Sequence, residues 1–141
     1  MTKNEFIDIT SQCFAEQNCV QNKKQFAYEH ENMYLVFILI KSNYSDCYYI
    51  DYNCSLKTLH PKFDFSDTYY DIILQPRLTL SNGITQLKYE EMDALKYEEI
   101  LRKTIKKFLG IINKKGLIFI KKLKKKGYAL EKKAEELLYN M

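Results

Sequence analysis

The first apolar residues of the chain recur with a helical period. Phe6, Ile9, Cys13 and Phe14 share one stripe while Glu5, Asp8 and Glu16 lie off it, which predicts an amphipathic helix over residues 4 to about 18. Thr2 or Asn4 is suited to cap that helix, and Asn18 to stop it. The spacing then shortens to that of strands. Residues 25–30 form a short candidate with Phe26 and Tyr28 on one side, and Glu31 and Asn32 suit a hairpin turn. Residues 33–41 are β-branched, aromatic and apolar on both faces, the pattern of a central strand. Over 46–56 the chain alternates: Tyr48, Ile50, Tyr52, Cys54 and Leu56 face one way, Tyr49, Asp51 and Asn53 the other. That predicts a half-exposed antiparallel strand.

An irregular loop follows over 58–69. Strand character returns over 71–80, where Ile72, Leu74, Leu78 and Leu80 are in phase, and Pro76 points to an edge position or a bulge. Asn82 and Gly83 signal a two-residue turn, after which 84–89 is expected to pair back. From about Asp93 the period is helical, with Leu101, Ile105, Phe108, Leu109 and Ile112 on one stripe. Gly116 or the three residues before it end that helix; a second over 117–126 stops at Gly127, and 128–141 close the chain with Leu130, Ala134, Leu137 and Leu138 as their apolar face. The order of elements gives an α+β class. We expect one domain over 1–141: an antiparallel sheet of four to five strands, with the N-terminal and C-terminal helices packed on one face.

Several strand ends have a recognisable form: Phe26 and Tyr28 ahead of the strand at 36–40, then Lys41-Ser42, Tyr48-Tyr49-Ile50-Asp51, Leu59-His60-Pro61, Asp71-Ile72 and Arg77-Leu78. Over roughly the first 80 residues this pattern resembles the bacterial domain-of-unknown-function family DUF4304. The resemblance implies the fold and carries no activity with it.

Composition changes the picture in three ways. The longest apolar run covers 33–40, far short of the ~20 residues that span a bilayer, and no secretory leader is visible, so a cytoplasmic protein is expected. Cys13, Cys19, Cys47 and Cys54 lack the Cys-x-x-Cys spacing that pinches zinc, which leaves reduced, mostly buried thiols and no expected metal or cofactor. Charge is unevenly divided. Residues 102–126 hold eleven basic side chains and no acid, whereas 1–101 carry nine basic against fifteen acidic residues, a net of −6.

The basic stretch admits three readings. Lys106, Lys107, Lys114, Lys115, Lys121, Lys122 and Lys125 suit nonspecific binding of a nucleic-acid or other anionic backbone. The mixture over 108–126 also suits a helix lying on an anionic membrane. In the third reading the basic helices dock against or near the acidic half and the remaining lysines are solvated. Arg102 is the only arginine in the stretch, so base readout is not expected. Lys, Ile, Asn and Tyr, all with AT-rich codons, are abundant together, so codon bias is an alternative source expected for part of the lysine charge.

Eight of the twelve tyrosines fall between Tyr28 and Tyr70. Tyr44, Tyr49, Asp51, Tyr69 and Tyr70 are the residues expected to make a partner-binding surface on the acidic sheet half, or alternatively to complete a second small core. Enzymatic signals are thin: there is no Gly-rich phosphate loop, Gly-x-Ser-x-Gly or His-Glu-x-x-His. A small-anion site from Lys41, His60 and Arg77, or a small enzyme site near His60, Asp71 and Arg77, is the weaker alternative. The leading expectation is a non-enzymatic interaction factor of the immunity, antitoxin or phage-defence type that takes a protein partner through the sheet half. Nonspecific nucleic-acid binding through 102–126 competes with it.

Overall fold

A computed structural model describes residues 1–66, 70–72 and 76–140. Helix α1 (Lys3–Ala15) is opened by a capping box: Thr2 accepts from the Glu5 amide at 3.1 Å and Glu5 accepts from the Thr2 amide. Asn18, at φ +62°, turns the chain beyond it. Four strands then run as an antiparallel meander in chain order, β1 (Val20–Asn22), β2 (Gln25–Glu29), β3 (Met33–Lys41) and β4 (Tyr48–Leu56). The α+β class, the four-stranded antiparallel sheet and the flanking helices are as the sequence predicts. Strand β1 is an addition: its residues are all exposed, so it carries no apolar alternation to read, and it is held by pairing Val20 with Ala27 and Asn22 with Gln25.

Register explains where the core sits. Phe26 pairs with Phe37 and Phe37 with Tyr52, so three aromatic side chains share one face. Helices bring more rings to that face. Phe14 of α1 stacks on Phe26 with centroids 4.5 Å apart and packs on Phe37 at 4.8 Å. Phe108 and Phe119, from the C-terminal helices, meet Tyr52 at 4.9 and 6.5 Å. Phe6 joins Tyr48 and Tyr97 at 5.3 and 5.2 Å. Such offset and tilted pairs are the favoured aromatic geometry.

Strand β4 departs from expectation. It was expected to be half-exposed, yet Asp51, Asn53 and Ser55 are buried along with its apolar face. The cause is non-local: later chain returns along its outer edge. The Asp71 amide donates to Cys54, the Tyr52 amide to Pro76, the Leu78 amide to Ile50, and Tyr48 exchanges bonds with Leu87. Between the first two of these contacts the partner chain advances five residues against two, so Asp71 and Pro76 do not keep the register of a regular strand; the strand expected over 71–80 falls in part, with Leu74, on residues 73–75, outside the described residues. Pro76 accepts and has no amide to donate, in keeping with its edge position. The turn at Asn82 and Gly83 forms, with Gly83 at φ +86°, but 84–89 does not become a strand paired back on 78–80. Leu87 bridges Tyr48 instead, and a 3-10 turn follows at Tyr89–Glu91.

Helix α2 (Ala94–Lys115) is capped by Asp93, which accepts from the Lys96 amide at 3.0 Å. Gly116 separates it from α3 (Leu117–Lys125), and α4 (Lys132–Tyr139) begins later than expected because Leu130 is held in a bridge to Ile72. No helix among the described residues is long and apolar enough to cross a membrane. Gly116 sits at φ +55° and ψ −130°, a conformation that costs a side-chain-bearing residue roughly 1–3 kcal/mol. Gly116→Ala is therefore expected to lower the melting temperature while Gly110→Ala, in mid-helix with open space around it, raises or preserves it. Equal melting of the two variants would show that this hinge is not strained.

Candidate functional site

The basic side chains of α2 follow from its period. Lys103, Lys106, Lys107 and Lys114 fall at i, i+3, i+4 and i+11, within one stripe, and the buried stripe of Leu101, Ile105 and Ile112 lies on the opposite side. All ten lysines from Lys103 to Lys126 are exposed. Two basic residues of the stretch are neutralised within the fold. Arg102 joins Glu16 at 2.7 Å and Glu98 at 2.7 Å, and Lys124 faces Glu135 at 3.6 Å. No other ion pair is made by the stretch among the described residues.

The Gly116 hinge then brings like charges together. Lys115, at the end of α2, stands close enough to Lys122 of α3 to hold its ammonium below the usual lysine range, with Lys125 and Lys126 adding to the effect. Lys106, Lys107, Lys114, Lys115, Lys121, Lys122 and Lys125 thus lie on the exposed surfaces of two consecutive helices. The basic helices do pack on the sheet half, with Phe108 and Phe119 against Tyr52, and their lysines point to solvent; among the described residues only Arg102 of the stretch pairs with acids of residues 1–101, Glu16 and Glu98.

The tyrosine set is spread across different environments. Tyr44, in the turn between β3 and β4, is 98% exposed. Tyr49 is half-buried beneath the Arg77 guanidinium, whose carbon stands 3.7 Å from the ring centre, and its hydroxyl accepts from Gln86 at 3.0 Å. Asp51 is buried, and burial raises its carboxyl above the usual range despite Arg77 at 3.8 Å. Tyr70 is half-buried, and Tyr69 lies outside the described residues.

A second cluster forms where the edge chain meets β4. His60 Nε2 lies 3.1 Å from Asp71 Oδ1, and the other Asp71 oxygen accepts from the Leu56 amide. Asp71 is fully buried, and that burial raises its carboxyl, with the Leu56 amide and His60 opposing and Glu131 adding. His60, Asp71 and Glu131 each offer one donor atom, all within 4.8 Å of one another. An open cleft of about 330 Å³ lies beside them, lined by Leu59, His60, Glu131 and Lys133.

Lys41, His60 and Arg77 do not converge. Lys41 pairs with Tyr48 at one end of β4, Arg77 lies opposite Asp51, and His60 follows Leu56 at the other end. Eight residues of strand separate the ends by roughly 26 Å. Asp71 and Arg77 are likewise committed to different partners, His60 and Asp51. Glu131 was missed because it lies sixty residues beyond Asp71 and comes to it through a backbone bond, Glu131 amide to Asp71 carbonyl at 2.6 Å. Compared with sequence families, curated proteins and solved structures, the chain matches none.

Proposed function

We propose that the protein binds polyanions through the lysine face of α2 and α3, with the sugar-phosphate backbone of nucleic acid as partner and without sequence preference. The observation that carries this reading is the exposure of all ten lysines, of which only Lys124 is held by an acid among the described residues. The α2 stripe from Lys103 to Lys114 is about 16 Å long at 1.5 Å per residue, the axial rise of roughly five base pairs of a duplex. Phosphates placed there relieve the crowding between Lys115 and Lys122. Lysine ammoniums act as point charges, and the single arginine of the stretch is taken by Glu16 and Glu98, so the face lacks the planar forks that read base edges.

Two other partners have less support. A helix lying on a membrane needs its apolar side free, whereas Ile120 and Leu123 of α3 are buried and Phe119 packs on Phe108 at 5.4 Å. A protein partner recognised by the tyrosine-rich sheet half loses Asp51 to burial and finds Tyr49 covered by Arg77, which leaves Tyr44 as the prominent exposed ring of the set among the described residues.

Fluorescence anisotropy with two labelled duplexes of equal length and unrelated sequence tests the reading. Both are expected to bind alike, with Kd of about 10⁻⁴–10⁻⁶ M at physiological salt. A marked preference for one duplex contradicts the proposal. So does binding to phosphatidylserine vesicles with none to either duplex, or binding to neither.

A further inference from the structure

The geometry points to a divalent transition-metal site formed by His60, Asp71 and Glu131, separate from the lysine face and independent of its function. The donor set is one imidazole nitrogen and two carboxylate oxygens, within 4.8 Å of one another. Donors held at about 2.0–2.2 Å from one ion stand roughly 3–3.6 Å apart, so closure takes about an ångström of side-chain movement. The backbone already fixes the three positions. The His60 amide donates to Leu56 at 2.8 Å, the Asp71 amide to Cys54 at 2.9 Å, and the Glu131 amide to Asp71 at 2.6 Å, while Leu130 bridges Ile72.

Chemistry selects the ion. Carboxylates suit hard cations and imidazole suits the later transition metals, so a mixed set favours Mn²⁺ or Zn²⁺ over Mg²⁺ or Ca²⁺. Asp71 is fully buried and its Oδ2 is occupied by the Leu56 amide, which leaves Oδ1, the oxygen that faces His60, as a monodentate ligand. Burying a carboxylate beside a second one is costly without a cation, and an ion between them offsets that cost. The Glu131 side chain makes no hydrogen bond or ion pair among the described residues, so ligation displaces nothing from it. The cleft beside the cluster leaves positions open for water or for an anionic ligand, with Lys133 on its wall.

Titration of the full chain with Mn²⁺, followed by loss of the free-ion EPR signal, tests the assignment. Mn²⁺ is chosen because thiols bind it poorly, which keeps half-buried Cys19 out of the measurement. One ion per chain is expected for the wild type. Glu131→Gln and His60→Gln are each expected to weaken binding at least tenfold, with Glu99→Gln on the exposed side of α2 as an unchanged control. Zn²⁺ is expected to raise the melting temperature of the wild type more than that of Glu131→Gln. Should His60→Gln fail to fold, Glu131→Gln carries the test, since that side chain makes no hydrogen bond or ion pair among the described residues. Equal Mn²⁺ uptake by wild type and Glu131→Gln, or no uptake at millimolar Mn²⁺, overturns the assignment.

Discussion

Truncating Phe37 to alanine is expected to destabilise the fold by about 3–5 kcal/mol, the largest single-residue effect anticipated in this chain. Phe37 is fully buried at the middle of β3, and its ring meets Phe14 at 4.8 Å, Phe108 at 5.6 Å and Tyr52 at 6.3 Å. It therefore joins α1, α2 and β4 through one side chain. Removing it deletes the transfer energy of the ring and opens a cavity that three elements border, which the backbone ladder on both sides of β3 prevents from collapsing. Against a total stability of about 5–15 kcal/mol, such a loss lowers the melting temperature by roughly 10–20 °C. Tyr44→Ala, at an almost fully exposed turn position, is expected to change stability by less than about 0.5 kcal/mol. Thermal unfolding followed by circular dichroism distinguishes the two. A Phe37→Ala protein that melts within a degree or two of wild type would mean that the sheet and helices do not share this core.

The second large effect concerns binding. Replacing Lys106, Lys107, Lys121 and Lys122 together by glutamine is expected to weaken duplex binding on the order of 100- to 1,000-fold at physiological salt, because each lost phosphate contact forfeits the release of about 0.9 of a counterion. All four side chains are exposed, and among the described residues none makes an ion pair, so the folded state loses no contact with acids. Removing Lys122 also ends its crowding by Lys115. The melting temperature is expected to hold or rise slightly. Full retention of binding by the quadruple variant would move the interaction away from this face.

Much of the architecture was legible because it is written locally. The cap Thr2, one of the two the sequence offers, the periods of α1 and α2, the apolar run of β3 and the turn residues Gly83 and Gly116 each act within a few neighbours. The exposed lysine stripe of α2 follows from the same period, since its position opposite Leu101 and Ile105 needs no tertiary information. What stayed hidden depends on distant chain. The polar alternation of β4 reads as solvent exposure, whereas Asp51 and Asn53 are buried in a strand whose outer edge is bonded by Asp71, Pro76, Leu78 and Leu87. Strand β1 has no apolar side chain turned inward and exists through its ladder with β2. The sequence points to His60 and Asp71 and sets Arg77 beside them, whereas Glu131 stands there and Arg77 lies by Asp51. A regular strand would have placed Asp71 and Arg77 on one side, and the five-against-two spacing at Pro76 breaks that register.

Binding of a polyanionic backbone by charge alone is what we propose for the exposed lysines of α2 and α3. Its most direct measurement is the dependence of log K on log salt concentration for a duplex, over 50 to 200 mM, with wild type and the quadruple glutamine variant side by side. With six or seven lysines on phosphates, the wild-type slope is expected at about −5 to −6, and the variant's slope flatter by about 3 to 4. A wild-type affinity indifferent to salt, or two parallel lines, contradicts it.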